Sequence, residues 1–102
     1  MGHEYRLHVD PPDLDLDEVC DSIFASSDWR RIKTSFEGVD GIGVQRGELP
    51  DFPSWPHAAD LYLEGRGVVF VLCHNQGGGE FMRALVESLR EGGHEVRIDD
   101  DV

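Results

Sequence analysis

Bases are scarce in this chain. Nine Lys and Arg stand against 21 Asp and Glu over 102 residues, a formal net charge of -12 at pH 7. A surface so poor in cations cannot displace the counterions of nucleic-acid phosphate, which excludes nucleic acid as a partner class. An anionic bilayer repels it as well, so no membrane partner is expected. Long apolar runs are also missing: the longest, Val68 to Cys73, has six residues, where a spanning helix needs about 20. The opening "MGHEYRLHVD" has no basic segment followed by an apolar one, so no secretory leader is expected. Cysteine is sparse too. Cys20 and Cys73 are too few for a disulfide framework and lack CxxC spacing, which predicts a reducing, cytoplasmic compartment.

Site templates are equally thin. His3, His8, His57, His74 and His94 are scattered, with no HxH, HxxxH or Cys-His ligand spacing, so no metal is expected. "DLDLDE" resembles the start of a calcium loop, but Glu18 stands where the loop needs glycine and Phe24 where it needs a carboxylate. "NQGGGEF" is no phosphate loop, because no Gly-Lys-Ser/Thr follows and the glycines are contiguous. The spacing predicts Glu80 as the first helical residue, a carboxylate where an anion would sit. Cys73 and His74 are strand neighbours that diverge onto opposite faces, which argues against a nucleophile–base pair. No cofactor is expected, and the failure of these templates argues against an enzymatic role.

What is present reads as alternating strands and helices. Tyr5, Leu7 and Val9 share one face of a first strand, stopped by Pro11-Pro12. Asp15 with Glu18 three residues on is a capping box, flanked by Leu14 and Val19 as a hydrophobic staple. The helix it opens carries Leu16, Val19, Cys20, Ile23 and Phe24 in one stripe and should end near Ala25 to Ser27. From Trp29 the period returns to two, with Ile32, Thr34 and Phe36 opposite Arg31, Lys33 and Ser35. Turns are expected at Glu37-Gly38 and Asp40-Gly41, before a short strand "IGVQR", a run weakened by two glycines. Pro50, Pro53 and Pro56 frame a stiff loop. Two strands then surround Glu64–Gly67, the second apolar on both faces and so central in its sheet. A second amphipathic helix carries Phe81, Met82, Leu85, Val86 and Leu89, capped by Gly92-Gly93. A last strand holds Val96 and Ile98, and "DDDV" should be a solvated tail.

The order predicts a single α+β domain over residues 1–102, a two-layer sandwich on the ferredoxin-like βαββαβ plan with an additional hairpin strand. Asp10, Asp13, Asp15, Asp17, Glu18 and Asp21 lie within twelve residues and no base separates them. The helix dipole accommodates only those in the first turn, and the rest repel one another unless a cation arrives. Phe52 and Trp55 sit in the proline-framed loop, where aromatics lose little entropy on binding. In size and charge the chain resembles the small acidic immunity proteins that block bacterial toxins, a likeness carried by no shared motif. The expectation is a cytoplasmic protein-binding module, an inhibitor or immunity-type protein neutralising a basic partner through Asp13, Asp17, Asp21, Phe52 and Trp55. The alternative is a small-anion binder or enzyme built on His74, Asn75, Gly77, Gly78 and Gly79. A homodimer through an open sheet face is a further expectation.

Overall fold

In the computed structural model, residues 3–25, 29–36, 38–46, 58–74 and 76–100 are described. They form β1 (His3–Asp10), α1 (Leu16–Ala25), β2 (Trp29–Phe36), β3 (Val39–Arg46), β4 (Ala59–Gly65), β5 (Val68–Cys73), α2 (Gln76–Glu91) and β6 (Glu95–Asp100). The protein is thus an α+β domain of two helices and a six-stranded sheet in the order β2-β3-β4-β5-β1-β6. Every neighbouring pair is antiparallel. α2 carries the chain from β5 to β6, and β1 lies between those two strands.

One face of the sheet is dry. Leu7, Val9, Ile42, Val44, Leu61, Val69, Val71 and Cys73 project from it into a core shared with Cys20 and Ile23 of α1 and Phe81, Leu85 and Leu89 of α2. Trp29 joins them, packing edge-on to Phe81 with ring centroids 5.4 Å apart. Alternation in the strands and the 3.6-residue stripe of each helix explain why these positions converge. Asp15 does cap α1: the Glu18 amide donates to Asp15 Oδ1 at 3.1 Å.

In β2, Trp29 shares its face with Arg31 and Lys33 and reaches the core, while Ile32 lies on the opposite face over Gly43, the alternation that the sequence predicts. Three expectations need correction. Asp40-Gly41 is not a turn; both residues lie inside β3, and the chain reverses at Gly38, whose φ of +81° suits glycine. α2 begins at Gln76, not Glu80, so the three glycines belong to its first turn and Glu80 follows them. Finally, Asp99 and Asp100 are exposed as expected but belong to a strand instead of a tail, because β6 pairs with β1 as far as Tyr5↔Asp100, while Asp101 and Val102 lie outside the described residues.

Candidate functional site

The end of the sheet where β1 finishes is acidic because of how its connections meet. The segment after β1 is pinned on both sides. On one side the Val9 amide donates to Gly67 O at 2.8 Å, and Gly67 lies so close to Pro12 that a Cβ there would stand 2.7 Å from the proline ring. On the other, His94 Nδ1 meets Pro11 O at 2.9 Å. This holds Asp10, Asp13 and the capping Asp15 beside the start of α1 and the start of β6. Asp10 and Glu95 are Cα partners across β1 and β6.

The three acids expected to meet a partner all lie in this region, and the fold brings arginines to each. Arg66 donates to Asp13 at 2.8 Å, and Arg31 donates to Asp17 at 2.6 Å and to Asp21 at 3.3 Å. Burial works against the Arg31 charge. Its hydrogen bonds and attraction to Asp17 and Asp21 outweigh that and raise its pKa above the ordinary value. The carboxylates stay open to solvent nonetheless, with side chains 78, 65 and 62 % exposed for Asp13, Asp17 and Asp21. Phe52 and Trp55 lie outside the described residues.

The opposite end of the sheet holds the strand-to-helix loop. His74 turns into the protein and its Nε2 meets Asp60 Oδ2 at 2.8 Å, with side chains 4 and 9 % exposed. Asp60 escaped notice in the sequence, although a lone carboxylate in the run "HAADLYL" is the kind of position a buried strand tolerates only with a partner. Gly78 is wedged: a Cβ on it would lie 2.4 Å from Ala58 O and 3.1 Å from Cys73 Cβ. The glycine run therefore lets α2 begin hard against the stretch leading into β4. Asn75 lies outside the described residues. Beside Gly79 is an open hollow of about 350 Å³ whose walls include Tyr5, Gln76, Arg83 and Glu80, so Glu80 still places a carboxylate there from one turn inside the helix.

Neither thiol is poised for chemistry. Burial pushes Cys20 up to about 12 and Cys73 up to about 11, far from the thiolate a nucleophile needs. Among the described residues no group of three or more His, Cys, Asp or Glu could hold a metal ion. Among them too, no helix is long and apolar enough to cross a membrane.

The face of the sheet away from the helices is paved by its own side chains. The Tyr62 ring lies over Gly41, where a Cβ would come within 2.3 Å of it, and Ile32 lies over Gly43 at 2.4 Å by the same measure. Arg6 lies over the Phe70 ring, 5.3 Å from its centroid, and donates to Glu64 at 2.9 Å. Glycine in β3 thus makes room for large cross-strand neighbours, the arrangement by which aromatic residues compensate strand glycines.

Compared with protein-family models, curated proteins and solved structures, the chain matches none. Its function has to be read from geometry and charge.

Proposed function

We propose that this chain is a small cytoplasmic protein-binding module that makes and breaks no bonds, and that it neutralises a basic protein in the manner of an inhibitor or immunity protein. One observation carries the reading. Asp10 and Glu95 stand directly opposite each other across β1 and β6, both exposed, with no ion pair to either among the described residues. Like charges placed opposite one another destabilise a ladder, and a cation from a partner relieves that cost. The surroundings support it. Asp13, Asp17 and Asp21 keep most of their carboxylate surface in solvent, and the segment from Pro11 is pinned by Gly67 and His94. A pre-ordered surface loses little entropy on binding. Phe52 and Trp55 are proposed as apolar anchors on sequence grounds.

The same reading takes β1, β4, β5 and β6 with the two helices as the ferredoxin-like βαββαβ plan. The β2–β3 hairpin is then its addition, inserted between α1 and β4. Support comes from α2, which joins β5 to β6 across the intervening β1.

The test is capture of a partner on the immobilised chain, followed by association rates at low and high salt. Wild type is compared with a variant carrying Asp10→Asn, Glu18→Gln and Glu95→Gln. The wild-type rate should fall steeply with salt, and the variant should bind more slowly with a flatter dependence. A rate indifferent to salt and to the three changes, or a captured partner with no basic surface, would count against the proposal.

A further inference from the structure

The two edges of the sheet carry opposite charge. β2, at one edge, reads "WRRIKTSF", with Arg30, Arg31 and Lys33 and no acid; Arg31 pairs with Asp17 and Asp21 of α1, so the basic character of this edge rests on Arg30 and Lys33. β6, at the other, reads "EVRIDD", with Glu95, Asp99 and Asp100 against Arg97. An edge strand offers unpaired backbone donors and acceptors, and charge of one sign along it blocks pairing with a like edge. Two β2 edges repel each other, and so do two β6 edges. Nothing of that kind forbids β2 from meeting β6.

The strand directions allow this meeting. Each strand runs antiparallel to its neighbours across all six positions, so β2 and β6 of one chain run in opposite senses. A second copy in the same orientation, set beside the first, therefore presents its β2 antiparallel to the first copy's β6. The faces agree as well. Val96, Ile98 and Asp100 share the face of Val9, Leu7 and Tyr5, while Trp29, Arg31 and Lys33 share the face of Val44 and Ile42. Both sets lie on the helix-covered side. In any register that keeps the helices of both copies on one side, Asp100 falls on the face of Lys33. Asp99 then falls on the face of Arg30. Ile98, 42 % exposed on the edge of that side, would be covered by the incoming strand.

We infer that a second copy of this chain docks β2 against β6, head to tail, extending the sheet antiparallel from copy to copy. Such a contact is heterologous, so it does not close on itself as a two-fold dimer does, and successive copies continue as a twisted ribbon. The net charge of -12 on each copy opposes growth, which keeps the association concentration-dependent instead of irreversible.

Sedimentation velocity across a wide concentration range, at physiological ionic strength, tests it with two charge-reversed variants. One carries Arg30→Glu and Lys33→Glu on β2, the other Glu95→Lys and Asp99→Lys on β6. The wild type should show species beyond the dimer as concentration rises. Each variant alone should lose them, since both of its edges then carry one sign, and an equimolar mixture should regain them. Hydrogen exchange on the wild type provides the reading that needs no variant to fold: protection should rise with concentration on 29–36 and 95–100 together. A wild type that stays monomeric overturns the inference. So does association that stops at a dimer, which would mark a two-fold contact such as the open sheet face, or added protection on one edge alone.

Discussion

His74 and Asp60 meet at 2.8 Å on the face of the sheet away from the helices, both side chains almost wholly withdrawn from water. Removing either partner leaves the other buried among groups arranged for two, a loss of about 2–4 kcal/mol for a pair of this kind. His74→Ala and Asp60→Ala should each lower the urea midpoint accordingly. The double variant should lose clearly less than the sum, because the second deletion removes a group already stranded. Additive losses would mean that the two side chains contribute to stability separately.

Gly78 and Gly79 are sequence neighbours with opposite expectations. Alanine at either favours the helix by up to about 1 kcal/mol. At Gly79 nothing lies within 4 Å of the added Cβ, so Gly79→Ala should raise the thermal midpoint. At Gly78 the Cβ would press on the backbone oxygen of Ala58 at 2.4 Å, and the helix start must move away from β4 to admit it. Gly78→Ala should therefore destabilise by about 1–3 kcal/mol, as overpacking does. Equal shifts at the two sites would refute the wedge.

These glycines also show what the chain discloses before it folds. Periodicity places all eight elements, since each strand and helix must bury one face and shows it as a repeat of two or 3.6. The Asp15 cap was legible for the same reason: its chemistry is local. Contacts between distant segments were not. Gly78 against Ala58, Tyr62 over Gly41 and His74 with Asp60 join residues 14 to 21 places apart. Glycine announces an allowance for closeness without saying to what. The acid-rich start of α1 holds no base in its own sequence neighbourhood, and its counter-charges come from a distance: Arg31 from β2 and Arg66 from the β4–β5 turn.

The buried thiols give the protein an alkaline liability. In the folded state burial holds Cys20 at about 12 against a reference of 9.0. Between those values the unfolded chain has released its proton and the folded chain has not, so unfolding is favoured as pH rises. Cys20 contributes its full stability below pH 9 and loses it progressively toward pH 12, with a limiting slope of about 1.4 kcal/mol per pH unit. Denaturation curves across that window should steepen in pH dependence for wild type and flatten in Cys20→Ala, whatever the offset from its smaller side chain. At neutral pH, thiol labelling by a disulfide reagent should proceed no faster than the protein unfolds. Rapid labelling of the native chain would show that a thiol is reachable and ionised.

Arg31 decides how much of the α1 charge a partner meets. It spans Asp17 and Asp21 with side chains that remain largely exposed, so its contribution to stability should be small, about 0–1 kcal/mol. Its electrostatic effect is larger in proportion. Arg31→Met keeps most of the side chain's apolar length, takes the formal net charge from -12 to -13, and frees two carboxylates on the helix face that already carries the first-turn acids. If the acidic surface steers a basic partner, this variant should associate faster than wild type at low salt, and the gain should vanish as salt is raised. A thermal midpoint close to wild type would show that the fold is intact, so the rate reports on charge alone. Slower association at every ionic strength would instead mean that Arg31 itself contacts the partner, and the acidic face would then be no more than the protein's own counter-charge.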